Sequence, residues 1–183
     1  MNKLFKNGIL VGRFQTLHLG HGQIIEKALD LCENVTVFIG SSQESRTQKN
    51  PFGFDERKKY LQAVYGDKIA VYPLPDIGVG NNPEWGEYVI KNALDRTGSM
   101  PDLFVSGKEE RRASWLCGCC GNGINEMYLA KSIDIDSTRV RKYLLENDLE
   151  SWKKCVDGKL WRYYEEMRCV VLKSQHDPTT QSI

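Results

Sequence analysis

The chain of 183 residues contains no unbroken apolar run of 18 residues, which excludes a membrane-spanning helix. It has no surplus of charge: 25 Lys and Arg stand against 24 Asp and Glu. A protein that grips nucleic acid through a broad basic face leans more positive. Nucleic acid is therefore not an expected partner, and neither is a membrane, although a local basic pocket is allowed. The opening residues MNKLFKNGILVGRF (1–14) hold too short an apolar stretch for an export signal, and no small-residue cleavage site follows. The expectation is a cytoplasmic protein with reduced thiols. Its six cysteines lack the CxxC…CxxC spacing that marks a zinc site. Three of them crowd into CGCCGNG (117–123) as Cys117, Cys119 and Cys120, which reads as a Gly/Cys loop, a lid or an oligomer contact sooner than as a metal centre. No internal repeat, low-complexity segment or carboxylate cluster is present.

What is present is an alternation of short β-branched runs and amphipathic stretches. NGILVGRF (7–14) suits a buried parallel strand. GHGQIIEKALDLC (20–32) places Ile24, Ile25, Ala28, Leu29 and Cys32 at helical spacing. NVTVFIGSS (34–42), KIAVYPLPDI (68–77) and DLFVSG (102–107) read as further strands, and a short strand is expected within 126–136. FDERKKYLQAVYG (54–66), NPEWGEYVIKNALDRTG (82–98) and STRVRKYLLEN (137–147) read as helices, the last with Ser/Thr at its N-cap. Strand and helix in alternation predict an α/β, Rossmann-like open parallel sheet with helices on both faces. We divide the chain into a catalytic domain (1–150), a short C-terminal helical extension (151–172) and a flexible tail (173–183). In such sheets ligands sit at the carboxyl ends of the strands, at a switch point. Gly12-Arg13, Gly40-Ser41-Ser42 and Ser106-Gly107 fall at those ends.

The loop GRFQTLHLGH (12–21) carries an arginine and two histidines into the start of a helix. Gly20 allows a tight turn and close approach to a ligand. A helix N-terminus presents free N–H groups and a positive dipole end, so Arg13, His18 and His21 beside it form a set of donors for one anion. A second such set lies far along the chain in IDIDSTRVRKYL (133–144): Ser137 and Thr138 open a helix, and Arg141 lies one turn inside it. Either alone is a common surface arrangement. Together, at opposite ends of one α/β chain, they are specific.

With these residues in view, the chain resembles the HxGH-type nucleotidylyltransferase superfamily, whose signatures are a GxFxPxHxGH-like loop and an ISSTxxR-like helix start. GSSQESRTQKNPFGFDER (40–57), LPDIGVGNNPEW (74–85) and VSGKEERR (105–112) narrow the resemblance to the archaeal-type nicotinamide mononucleotide adenylyltransferases over roughly residues 8 to 150. The resemblance implies an enzyme that joins ATP to nicotinamide mononucleotide, releases pyrophosphate and forms NAD. It implies Mg²⁺ carried on the triphosphate, with no protein metal site, and a homo-oligomer. His18, His21, Arg13 and Arg46 are the implied catalytic residues. Gly12, Arg13, Phe14, His18, Gly20, His21, Ser106, Gly107, Ser137, Thr138 and Arg141 are the implied ATP contacts. Gly40, Ser41, Ile77, Gly78, Asn81, Asn82 and Trp85 are the implied mononucleotide contacts, with Trp85 as a stacking face.

The sequence departs from the pattern in places. Thr16 replaces the usual proline of the first motif, and Asp136 replaces the first serine of the second, where it should point outward or meet a cation. Arg46 or Lys49 could serve the phosphates, and the bidentate reach of arginine favours Arg46. Other acceptors, nicotinate mononucleotide or phosphopantetheine, and a nucleotide-sensing module without turnover are the rival readings. NPF…ER and Trp85 speak against phosphopantetheine. DIGVGNNPEWGEY (76–88) has no Lys or Arg for a nicotinate carboxylate.

Overall fold

β-branched and aromatic residues at alternating positions make the strands two-sided, and each side needs its own cover. In the computed structural model, which describes residues 2–80, 82–107, 115–116, 123–130 and 132–175, five strands form one parallel sheet. They are β1 (Phe5–Gly12), β2 (Cys32–Gly40), β3 (Ala70–Leu74), β4 (Leu103–Ser106) and β5 (Asn125–Tyr128). Their order is β3-β2-β1-β4-β5, with every neighbouring pair parallel. The helices are α1 (Leu19–Leu31), α2 (Phe54–Tyr65), α3 (Pro83–Thr97), α4 (Ser137–Leu145), α5 (Leu149–Lys153) and α6 (Tyr164–Lys173). Pro73 lies in β3, at the sheet edge, where a missing N–H is tolerated.

The strand residues divide between two cores. Leu10, Val37, Ile39, Leu103 and Val105 face one, packed by α1, α2 and the C-terminal helices. Ile9, Phe38 and Phe104 face the other, covered by Trp85, Val89, Ile90 and Ala93 of α3 with Trp115 and Leu116. Helices therefore lie on both faces, as the alternation predicted. The chain winds from β1 outward through β2 to β3, then crosses back through α3 to β4 on the far side of β1. That reversal places the switch point between β1 and β4.

The cover on the α3 face is close. A Cβ added at Gly86 would lie 1.8 Å from the carbonyl oxygen and 2.6 Å from the carbonyl carbon of Trp115, both backbone atoms. Gly86→Ala should therefore cost about 3 kcal/mol, because the overlap is with main chain and outweighs the helix-propensity gain of alanine. A urea melt of the variant with an unchanged midpoint would contradict the close packing of α3 on residue 115.

One local expectation changes. The N-cap of α4 is Asp136, whose carboxylate accepts from the Arg139 N–H at 2.9 Å; Ser137 and Thr138 are the first helical residues. Aspartate outcompetes the neighbouring hydroxyls because its ionised oxygen suits the positive helix end. Asp136 is exposed and also reaches the wall of the cavity at the carboxyl ends of β1 and β4, so it does not simply point away from it. No loop separates α1 from β2, since Cys32 is both the C-cap of α1 and the first residue of β2. The C-terminal extension is also part of the main core: Trp152, Leu160, Met167 and Val171 are fully buried there with Leu144. The Cys155 carbonyl accepts from the Leu19 N–H at 2.9 Å, which ties the extension to the start of α1. Cys32 and Cys155 are buried free thiols. Burial pushes the Cys32 thiol up to about 11, so it acts as a small apolar side chain. Cys117, Cys119 and Cys120 lie outside the described residues, as does most of the 173–183 tail.

Candidate active site

The first turn of α1 and the first turn of α4 open onto one cavity of about 740 Å³ at the carboxyl ends of β1 and β4. That volume is in the range of sites that hold a nucleotide-sized ligand. Gly12, Arg13, Phe14, His18, Gly20 and His21 line it from the β1–α1 side. Ser106 and Gly107 line it from β4, and Ser137, Thr138 and Arg141 from α4. All the residues that the sequence associates with ATP thus meet at the switch point, although the histidine loop ends at residue 21 and the second set begins at residue 137.

The loop between β1 and α1 is fixed by its neighbours. The Gln15 side chain is 3% exposed and forms two hydrogen bonds to the Phe52 backbone. Its Nε2 donates to the Phe52 carbonyl at 2.8 Å, and its Oε1 accepts from the Phe52 N–H at 2.9 Å. Arg141 Nη1 donates to the Gln15 carbonyl, and Ser137 Oγ donates to the Thr16 carbonyl at 3.3 Å. His18 is the N-cap of α1 and accepts through its carbonyl from the His21 and Gly22 amides. The imidazoles of His18 and His21 stack with centroids 3.8 Å apart, and Phe14 packs on His21 at 4.8 Å. A Cβ at Gly20 would come within 3.1 Å of the His18 ring, so glycine leaves that ring its place.

Charge at the site is biased for an anion. Neither α1 nor α4 has an acidic residue in its first turn. Arg141 is held below the ordinary guanidinium value, first by burial and then by the nearby Arg13 charge. Two cations held near each other at the mouths of two helices gain from a polyanion between them. Acids do reach the wall: Glu26 and Asp30 of α1, and the α4 cap Asp136. Among the described residues no three His, Cys, Asp or Glu side chains are grouped to hold a metal ion. No described helix is long and apolar enough to cross a membrane.

The other half of the expected site is arranged differently. Arg46 does not line the cavity; its guanidinium is committed to Glu56 at 2.8 Å and to the Pro51 carbonyl at 3.1 Å. Lys49 lines it instead. The NPF turn brings residue 46 back onto the N-terminus of α2 and leaves residue 49 facing the cleft. Trp85 is only 8% exposed; it stands edge-on to Trp115 at 6.0 Å and beside Tyr88 at 5.3 Å, inside the α3 core. Its place on the apolar stripe of α3 accounts for this packing. Asn82 caps α3, accepting from the Trp85 N–H at 3.0 Å and donating to the Val79 carbonyl at 2.9 Å. Gly40, Ser41, Ile77 and Gly78 stand beyond the cavity wall, at the ends of β2 and β3. Asn81 lies outside the described residues.

Two residues near the site were not singled out from the sequence. Gln15 was visible only as the last letter of GRFQ. Arg57 of α2 is fully buried, and all its bonds run to backbone carbonyls of the loops after β1 and β2. It is the arginine of NPF…ER, which was given no role of its own, and it sits three and four residues before Tyr60 and Leu61, on the apolar stripe of α2.

A parallel 3-2-1-4-5 sheet with two helix N-termini and paired histidines at its switch point defines a nucleotide-binding α/β protein. The chain belongs to the cytidylyltransferase-like family, whose sequence model matches residues 9–143. Among its relatives is the nicotinamide-nucleotide adenylyltransferase of Thermococcus kodakarensis, 39% identical over 173 residues, which span 91% of this chain and 86% of that protein. The nicotinamide-nucleotide adenylyltransferase of Aeropyrum pernix is 31% identical over 168 residues, spanning 88% and 92%. In fold, the chain is similar to a bifunctional NMN adenylyltransferase/ADP ribose pyrophosphatase from Francisella tularensis crystallised with AMP and a Mn ion. That likeness has a TM-score of 0.71 at 18% identity, over 94% of this chain and 53% of that one. The chain thus spans about half the length of that two-activity protein.

Proposed function

We propose that this protein is a nicotinamide-nucleotide adenylyltransferase: it transfers the AMP moiety of ATP to nicotinamide mononucleotide, forming NAD and pyrophosphate. The observation that carries the reading is the convergence of the two motif sets, from residues 12–21 and 137–141, on one 740 Å³ cavity. Relatives with this activity in their names align along nearly the whole chain.

A phosphate oxygen of the mononucleotide attacks the α-phosphorus of ATP. The bond from that phosphorus to the α,β-bridging oxygen breaks, and pyrophosphate leaves with its electron pair. The attacking oxygen is already ionised near neutral pH, so the reaction needs no general base. The protein's task is alignment and stabilisation of charge. In our assignment His18 meets the α-phosphate, with His21 stacked behind it. Arg13 and Lys49 hold phosphate oxygens from the β1 and NPF sides. Ser137, Thr138 and Arg141 take the β- and γ-phosphates as they become the leaving group. The cation enters with ATP, as Mg²⁺ on the triphosphate, in keeping with a wall that offers scattered carboxylates and no cage.

The test is direct. Purified protein, ATP and Mg²⁺ are incubated with nicotinamide mononucleotide, and in parallel with nicotinate mononucleotide and with phosphopantetheine. The products are resolved by chromatography. NAD from the first acceptor at a rate well above the others is the expected result. The absence of a dinucleotide from every acceptor would overturn the assignment.

A further inference from the structure

Arg57 is a buried cation surrounded by main chain. Its Nε donates to the Gly53 carbonyl at 3.2 Å. Nη1 donates to the carbonyls of Arg13 at 3.1 Å and Gly40 at 2.9 Å, and Nη2 to that of Ser41 at 3.1 Å. Longer contacts run from Nη2 to Ser42 and Glu44. Among the described residues it makes no ion pair, although the side chain is fully buried. An uncompensated buried charge is costly, and an apolar residue would fill the same helix stripe at lower cost. What only a guanidinium supplies is five fixed donors in one plane.

Those donors go to a particular place. Parallel strands end with carbonyl groups that have lost their ladder partners. Of the residues that supply such carbonyls here, Arg13 lines the cavity, while Gly40 and Ser41 stand behind its wall at the end of β2. Arg13 carries the point further: its carbonyl is held by Arg57 while its side chain lines the cavity. The same guanidinium binds carbonyls at the end of β1 and at the end of β2, and so links the histidine loop to the Gly40–Ser41 turn. Ser41 has a left-handed backbone (φ 46°), a conformation that needs outside support in a residue other than glycine.

We propose that Arg57 is a positioning residue for adenylyl transfer: by binding the Arg13, Gly40 and Ser41 carbonyls it ties the β1 loop to the end of β2 and aims Arg13 at the ligand. This rests on the reading of the cavity as an ATP site. Lysine keeps the charge and loses the fork, so Arg57→Lys separates geometry from charge. Its kcat for NAD formation, normalised to folded protein by circular dichroism at 15 °C, should fall at least tenfold at saturating substrates. Tyr60→Phe, one turn along on the same helix and bonded only to Glu166, serves as the stability control and should retain kcat within twofold. A folded Arg57→Lys with kcat within twofold of the parent overturns the proposal. If that variant does not fold, the parent protein decides, with ¹⁵N-arginine labelling. The protected Arg57 Nε–H resonance should shift when ATP is added, and an unmoved resonance overturns the proposal. If the parent makes no NAD, the enzymatic reading fails separately, and the readout becomes ATP-induced thermal stabilisation. Its presence in the parent and loss in Arg57→Lys supports the positioning role. Its retention in the variant, or its absence from the parent, overturns it.

Discussion

Replacing His18 by alanine should lower kcat for NAD formation about 10²–10³-fold while KM for ATP changes by no more than about threefold. The magnitude is that of one donor lost from a site of developing charge, ~2.7–4 kcal/mol. The split between kcat and KM follows from the proposed role. A group that meets the α-phosphate as it becomes five-coordinate contributes most in the transition state, and its loss appears in kcat. Misfolding is a poor rival explanation. The His18 side chain caps none of the α1 amides, so alanine leaves the helix start intact. The His21 and Gly22 amides bind the residue 18 carbonyl, which alanine retains. His21 loses a stacked neighbour at 3.8 Å and gains freedom to reorient, so His21→Ala in the same background should add less than its own single effect. Initial-rate kinetics of the two single variants and the double variant test this. A His18→Ala enzyme within tenfold of the parent kcat would remove the histidine loop from the chemistry.

The ATP half of the site was legible because its information is local. GRFQTLHLGH and DSTRVR each lie at a strand-to-helix or loop-to-helix junction, where a few consecutive residues determine what a helix N-terminus presents. Once a parallel sheet is granted, topology alone brings those junctions to one edge. The mononucleotide half was not legible in the same way. Trp85, Val89 and Ala93 repeat at helical spacing, so periodicity alone reads this tryptophan as part of the α3 stripe and cannot tell a stacking face from a core one. The loop around it carries too little pattern to say which side faces a ligand. Arg46 against Lys49 was a question of turn geometry. Two intervening residues and a left-handed φ of 62° at Arg46 decide which cation meets Glu56 and which meets the cleft, and no periodicity reports this. The same limit applied at Asp136, Ser137 and Thr138, three adjacent residues that can all cap a helix. Arg57 marks a different gap. A charged residue inside an apolar stripe is visible in a sequence, but its partners are carbonyls, and carbonyls carry no residue identity to read.

Arg141 should show the largest effect of any cation at the site, and its loss should separate activity from stability. It lines the cavity and donates to the Gln15 carbonyl and, at 3.4 Å, to Thr138 Oγ1. It therefore ties the α4 motif to the histidine loop and still lines the cavity. Burial and the nearby Arg13 charge both disfavour its protonated form, so in the free protein the guanidinium stands under electrostatic strain that a polyphosphate relieves. Arg141→Met removes that repulsion along with the loop hydrogen bond. These two changes oppose each other, and the free protein should melt within a few degrees of the parent, a difference of about 1 kcal/mol or less. Catalysis has no such offset. The variant should lose about 10³-fold in kcat/KM for ATP, and Arg141→Lys about 10²-fold, because a point charge cannot bridge the Gln15 carbonyl and a phosphate at once. The two effects are read in one pair of experiments, a thermal melt with and without ATP and Mg²⁺ and an ATP titration of the initial rate. An unchanged melt without ligand, together with loss of the ATP-induced shift, is the expected signature of a residue retained for its ligand. A variant that melts far below the parent yet keeps its ATP-induced shift would make Arg141 a structural clamp of the β1–α1 loop and return the leaving-group role to Ser137, Thr138 and the α4 amides.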